Sequence, residues 1–387
     1  MNVPFVSPSL LADPKPASGV TAIVNARLFD GTGREVRNGS TVVIEDGYIT
    51  ASSAPHDARV VDLEGRFLMP GLIDVHAHLA EQPDIVVEEG AEPLLPGTRS
   101  HLVAAIARDA LGMGITTIRD VGASDDSVLE VRQAMRYGAL LAPRLLSCGK
   151  IISATSPGGH HFAGMYREAD GPDEMRKAVR EQIRRGADFV KIMMTGARSV
   201  ELENPEFTQV TREEVAAVVD EAHRQGYLVA AHCEGLEGTL LAVEEGVDTI
   251  EHGLYLHSRP EVLSEMAKKG QVLVPTLSFL HDVVDQRHHA WSPHLVERGR
   301  FNVDQAGKTL RAAIDAGVPI AMGFDSRPQG KAATELEAMV EAGMTPTDAL
   351  VAATSSGARA LGLAHLIGTL EPGKLADLVV VDGDPTE

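Results

Sequence analysis

The strongest constraint in this sequence is an alternation of eight short apolar runs with stretches of helical period. The runs are LMPGLIDVHAHL (68–79), TTIRDVGA (116–123), RLLSCGKII (144–152), FVKIMMTG (189–196), LVAAHC (228–233), TIEHGLY (249–255), VLVPTLSF (272–279) and PIAMGFD (319–325). Between them lie segments such as PDEMRKAVREQIRRG (172–186) and TREEVAAVVDEAHRQG (211–226), whose apolar residues recur at three and four. Thr211 and Glu214 have capping-box spacing, and Gly226 stands where a helix ends on a glycine. Apolar strands alternating with helices in this way predict a closed parallel (β/α)8 barrel. A doubly wound open sheet would need a glycine-rich phosphate turn after its first strand, and HAHLAEQ (76–82) is not one. Three long connections, Ala80 to Gly97, Ser153 to Gly171 and His281 to Pro293, all follow strands. On a barrel that places them at the face where active sites lie.

The two ends of the chain read differently. AIVNARLFD, TVVIEDGYI and ARVVDLEG are β-type runs, with Asn38-Gly39 and Asp46-Gly47 as hairpin turns, and DLVVVD (377–382) supplies a matching run at the other end. The expectation is an N-terminal arm over 1–19, a small β-sandwich from 20–66 and 366–387, and a catalytic barrel over 67–365. The formal net charge of −20 argues against nucleic acid or an anionic membrane as partner, since both are polyanions. No run reaches the roughly 20 apolar residues that span a bilayer. Met1 to Gly19 lacks the basic start and apolar core of a secretory signal. Cys148 and Cys233 form no CxxC pair and read as reduced, buried thiols of a cytoplasmic protein.

The chemistry sits at the strand ends. His76 and His78 are two apart in a strand, so both imidazoles point to one face, which is half of a metal site or a satisfied polar pair. His232 ends the fifth run and His252 the sixth, each amid apolar neighbours; a single buried histidine is more often a core residue, but four from three strands share one rim. Asp325 follows IAMGF, where a carboxylate is costly without a cation or donor beside it. Lys191 lies in FVKIMM, and an ammonium so flanked is a structural ion-pair partner, a low-pKa base, or a lysine carbamylated by CO2 to a bridging carboxylate. The last reading uses every piece.

These residues, in order and strand placement, resemble the metal-site pattern of the binuclear amidohydrolase superfamily, over nearly the whole chain from about Thr21 to the end. The subgroup it looks most like is the imidazolonepropionase-like and Xaa-Pro-dipeptidase-like amidohydrolases, which include mycotoxin-degrading members. The local signatures are SPGGHHF (156–162), ADFVKIMMTG (187–196), GVDTIEHGLYL (246–256) and GTLEPGKLADLVVVDGDP (368–385). The resemblance implies two divalent ions. His76, His78 and Asp325 would hold the more buried one, His232 and His252 the more exposed one, and N6-carboxylated Lys191 would bridge them together with a hydroxide. A His-rich, carboxylate-bridged site suits zinc. Asp325 would carry the proton from the attacking water to the leaving nitrogen. His160 resembles a substrate-contacting histidine of this subgroup, with His161 as the alternative; only one is expected to point inward. Tyr255 is either a donor to a substrate carboxylate or oxyanion, or a rim tyrosine packed on a loop.

Relatives often carry Ser-Gly-Gly-Val after the bridging lysine, whereas this chain has Thr195-Gly196-Ala197-Arg198. Arg198 is therefore a clamp for a substrate carboxylate or a solvated loop arginine, and the second is the safer expectation. Many relatives also continue into a further β segment beyond the equivalent of Glu387, so an incomplete sandwich is expected here. His281, His288, His289 and His294 read as part of a polar lid loop, with Trp291 as its hydrophobic substrate contact. The implied activity is hydrolysis of an amide such as an N-acyl amino acid, a dipeptide or an aryl amide, by a homo-oligomer. The rivals are a one-metal cyclic amidase or deaminase, an esterase or lactonase on the same centre, and a non-enzymatic scaffold. Scaffold relatives lose ligands, and none is missing here.

Overall fold

The computed structural model describes residues 19–80, 94–95, 97–285, 293–326, 328 and 333–387. The arm, most of the Ala80 to Gly97 connection, and His288, His289 and Trp291 lie outside the described residues.

The catalytic unit is a barrel of parallel strands. Leu72–Ala77 pairs with Ile115–Asp120, and that strand with Arg144–Ser147. A second parallel sheet runs in the order Tyr166–Glu168, Ile151–Ser153, Val190–Met193, Val229–Cys233, Thr249–His252, Val272–Val274. The amide of Asp188 bonds to the Ser147 carbonyl at 2.8 Å and joins the two sheets at one seam. Residues 319–326 close the other seam. Leu273 N bonds to Pro319 O at 2.9 Å on one side, and Val75 N to Met322 O at 2.9 Å and Phe324 N to His76 O at 3.0 Å on the other. The eighth run therefore makes bridges rather than a regular strand. Its Gly323 explains part of this: a Cβ there would sit 2.6 Å from His76 Cβ, so the two backbones approach as only glycine allows.

All residues of Leu72–Ala77, Val190–Met193, Val229–Cys233, Thr249–His252 and Val272–Val274 are buried. That is the condition of a parallel barrel, whose outer face is covered by helices and whose inner face is filled by its own side chains. It makes each charge in these strands an exception that needs a partner. The covering helices end as their sequences imply. Thr211 Oγ1 accepts the Glu214 amide at 3.3 Å while Glu214 Oε2 accepts the Thr211 amide at 2.8 Å, capping helix Arg212–Arg224.

The run at 272–279 departs from expectation. Its strand stops at Val274, Thr276 takes a positive φ of 49°, and Leu277–Asp285 is a helix. The buried carboxylate of Glu335 causes the turn, accepting the amides of Leu277 at 2.9 Å and Ser278 at 2.6 Å. Half of the expected lid loop is consequently helical. His281 lies on Leu277–Asp285 and His294 on helix Pro293–Ala316.

Both chain ends build a third sheet, ordered Leu378–Val381, Phe67–Pro70, Val20–Leu28, Arg37–Glu45, Tyr48–Thr50, with Arg59–Asp62 also paired to Val20–Leu28. The sheet folds back on itself: Ile49 and Gly47 exchange hydrogen bonds with residues 373–376, just before the strand at the opposite edge. Asp46-Gly47 forms the two-residue turn expected of it. Asn38-Gly39 does not. It lies inside Arg37–Glu45, where Ala26 pairs with Ser40 and Leu28 with Arg37, so the extra residue is taken up as a bulge with Gly39 at φ 64°.

Candidate metal centre

The four strand-end histidines converge, and each ring has one nitrogen fixed from outside. His76 Nδ1 donates to Glu251 Oε2 at 2.6 Å and His78 Nδ1 to the Gly122 carbonyl at 3.2 Å. His232 Nε2 lies 3.3 Å from the Gly196 carbonyl, and His252 Nδ1 is 2.8 Å from Thr276 Oγ1. The other nitrogens face one another and the carboxylate. His76 Nε2 and His78 Nε2 lie 3.1 and 3.6 Å from Asp325 Oδ1, and His232 Nδ1 lies 3.0 Å from His252 Nε2. Fixing the outer nitrogen sets ring orientation and leaves the inner lone pair for a cation. Burial holds His232 and His252 well below the ordinary histidine range, in the neutral form that binds metal.

Two of these residues sit in strained backbone. His252 and Asp325 have φ of 68° and 55°, and so has Thr276, the partner of His252, at 49°. Such conformations cost of the order of 1 kcal/mol or more each and persist where surrounding structure imposes them. Burial would raise the Asp325 carboxyl, but His76, whose Nε2 lies 3.1 Å from it, holds it well below the usual carboxylate range. Lys191, 2% exposed, is the anomaly: its Nζ is buried with no hydrogen-bond partner among the described residues. Burial lowers its pKa from that of an ordinary lysine.

The amidohydrolase family model matches residues 67–387. The chain belongs to the amidohydrolase family. Ochratoxinase of Aspergillus niger is 31% identical over 95% of this chain and 82% of its own length. An imidazolonepropionase of Symbiobacterium thermophilum is 26% identical over 92% of this chain and 85% of its own. Among solved structures, a Xaa-Pro dipeptidase with bound methionine in the active site superposes with a TM-score of 0.85 at 29% identity, covering 95% of both chains. Amidohydrolases are generally metal-dependent, and here ligand atoms of His76, His78 and Asp325 lie within 4.8 Å of one another, close enough to share an ion.

Beneath this amidohydrolase site runs a network that the sequence reading missed. Glu251, fully buried, accepts from His76 through Oε2 and from Arg119 Nη2 through Oε1 at 2.8 Å. Arg119 also donates to the Val75 carbonyl and to Thr249 Oγ1, and its guanidinium lies 5.1 Å over the Phe189 ring. Burial alone would raise the Glu251 carboxyl, but the Arg119 guanidinium bonded to it holds it ionised, far below the ordinary range. An ionised Glu251 fixes the His76 tautomer. Glu251→Gln is expected to lower metal affinity by about 10- to 100-fold, measured by chelator competition; wild-type affinity in the variant would remove Glu251 from that role. The signal lay in TIEHG and TTIRDVG, where a charge interrupts an apolar run just as Lys191 does.

The expected rim residues fare unevenly. His161 packs edge-on to Phe162 at 4.6 Å, while the exposed His160 side chain makes no hydrogen bond or ring contact among the described residues. Among the described residues neither makes a hydrogen bond or ring contact with the four histidines. Glu203 clamps their loop to the one bearing Arg198, accepting the amides of Gly158 and Ala197 at 2.8 Å each. Tyr255 Oη donates to Glu206 Oε1 at 2.8 Å. Arg198 corrects the solvated expectation: it is 7% exposed, and its Nε donates to Glu234 Oε1 at 2.9 Å. Trp291 lies outside the described residues.

Proposed function

We propose that this amidohydrolase cleaves the amide bond of an N-acyl amino acid, dipeptide or related aryl amide at a centre of two divalent ions, zinc by donor chemistry, bridged by carboxylated Lys191. The observation that carries the reading is the orphaned amine of Lys191 in a pocket with four imidazoles and Asp325. A buried amine with a lowered pKa is the neutral nucleophile carboxylation requires. Its lone pair bonds to the carbon of CO2, one C=O π bond opens, and the N–H proton leaves to water, giving a carboxylate where the apolar wall offers none. Four imidazoles and two carboxylates would then make a donor set for two ions, His76, His78 and Asp325 holding one, His232 and His252 the other.

Ions bound there lower the pKa of a bound water and polarise the scissile carbonyl. The chain supplies the rest. Asp325, ionised and within 3.1 Å of His76 Nε2, takes the proton of the attacking water and delivers it to the leaving nitrogen. Tyr255, once released from Glu206, and His160 are the proposed donors to the substrate carbonyl or carboxylate. The methionine in the active site of the Xaa-Pro dipeptidase structure supports a substrate that releases an amino acid. Buried free thiols at Cys148 and Cys233 support a cytoplasmic setting, and no helix among the described residues is long and apolar enough to cross a membrane. A homo-oligomer is part of the reading, supported by the family resemblance.

The test is a panel of N-acyl amino acids, dipeptides and aryl amides offered to metal-loaded protein whose metal content is measured by elemental analysis. About two ions per chain with turnover of the panel is the expected result. Close to one ion, with turnover of cyclic amides instead, would transfer the case to the reaction class of the imidazolonepropionase relative.

A further inference from the structure

The seventh barrel strand, Val272–Val274, delivers no ligand of its own to the candidate centre, yet it decides how one ligand sits. Its Val274 pairs with Glu251, the neighbour of His252. Two residues further on, buried Thr276 brings its Oγ1 to 2.8 Å from His252 Nδ1. To do so Thr276 takes a φ of 49°, a region that β-branched residues almost never enter unaided.

Thr276 also stands just before helix Leu277–Asp285, where a threonine hydroxyl ordinarily caps the helix by accepting an amide of its first turn. Here that hydroxyl faces His252 instead, and Glu335 takes the amides. Its two oxygens accept Leu277 N at 2.9 Å and Ser278 N at 2.6 Å, two donors that have no partner within the helix. With both amides fixed to one acceptor, the chain between Val274 and Leu277 has to turn, and Thr276 lies in that turn. Glu335 is wholly buried on helix Ala333–Glu341, which packs beside Leu277–Asp285. Burial pushes its carboxyl up to about 8, but either protonation state keeps acceptor lone pairs on both oxygens. A second buried carboxylate braces the first strand in the same manner. Asp74 Oδ1 accepts the amides of His76 at 3.0 Å and Phe324 at 3.3 Å, next to the ligand Asp325.

We infer that Glu335 is a positioning residue of the metal centre: by taking over the cap of helix Leu277–Asp285 it releases the Thr276 hydroxyl and turns it onto His252, which fixes the ring with Nε2 toward the ion. Glu335 acts through Thr276 and not as a ligand. The inference rests on His252 being a ligand in the proposed centre, and it names the ion affected: the one held by His232 and His252.

Chelator competition for zinc tests this on the full chain, with melting curves of the metal-free proteins alongside. Thr276→Val keeps the branching and removes the hydroxyl, and it should weaken one zinc ion by about 10- to 100-fold. Glu335→Gln leaves an NH2 group facing an amide N–H. It should weaken the same ion by about tenfold or more, and the other ion by less than about threefold. Both substitutions break one chain of contacts, so the double variant should stay within about threefold of the weaker single variant, whereas independent effects would multiply to about 100-fold or more. Glu335→Asp keeps the carboxylate one methylene short; it should recover part of the affinity, and it gives the reading if Glu335→Gln does not fold. A merely structural cap would lower the melting temperature of Glu335→Gln and leave zinc affinity untouched. That result, wild-type affinity in Thr276→Val, or multiplied losses in the double variant would overturn the inference. Two ions in wild type, both indifferent to Glu335→Gln, sink it and leave the two-ion reading standing. A single ion in wild type that weakens in both variants without multiplying does the reverse.

Discussion

Lys191→Met is expected to cost at least about 10³ in kcat/KM, roughly 4 kcal/mol, and to lose the bound metal, while leaving the metal-free protein as stable as metal-free wild type. The two halves of this expectation come from one observation. The Lys191 amine is buried without a hydrogen bond among the described residues, so in the metal-free fold its main contribution is a desolvation cost. Methionine keeps the length of the stem, fills the same volume and removes the orphaned nitrogen, a change of the kind that is neutral or stabilising in a core. What it cannot do is become a carboxylate. Thermal melting with and without added zinc separates the effects: wild type should gain stability from the metal and the variant should not. Lys191→Ala opens space at the same point, and a short free carboxylic acid should restore part of its metal content. If Lys191 were only a structural cation, Lys191→Met would weaken the metal-free fold and added carboxylate would do nothing. That pair of results would end the bridging assignment.

Most of the fold and the centre of the site were legible because both are written in strand period. A residue at a strand tip has a face fixed by alternation, so His76 and His78 could be placed on one side before any coordinates. His232, His252 and Lys191 were visible as polar breaks in runs that burial otherwise makes apolar. The same logic applied to Arg119 and Glu251, but their partners are far along the chain, and no local pattern pairs position 119 with 251 or 251 with 76. Thr276 was illegible for another reason. Its turn is imposed by Glu335, a carboxylate almost 60 residues later whose bonds to Leu277 and Ser278 convert the tail of an apolar run into a helix. Arg198 was read as solvated because loops usually are; the loop is instead folded inward by Glu203 and Glu234. Tertiary contacts decided these positions, and period cannot report them.

Asp325→Asn separates ligation from proton transfer, and it should hurt amides far more than esters. Asparagine tolerates the left-handed backbone that Asp325 adopts at φ 55°, so the segment joining residues 319–326 to His76 should keep its form. The amide oxygen still faces His76 Nε2 and His78 Nε2, which retains a neutral donor at the place of the carboxylate. Lost are the negative charge and the ability to carry a proton. Positioned acid–base groups contribute about 10²- to 10⁴-fold, so kcat on an N-acyl amino acid should fall by at least about 10²-fold. An aryl ester of the same acyl group has a leaving oxygen that departs without being protonated. Its kcat should fall less, by a margin of about tenfold or more. Metal content measured on the same sample shows how much of each loss is ligation, since lost metal lowers both substrates together. Equal losses on amide and ester at full metal occupancy would leave Asp325 as a ligand alone, and the leaving nitrogen would then have to take its proton from a group on the loops that carry His160 and Tyr255.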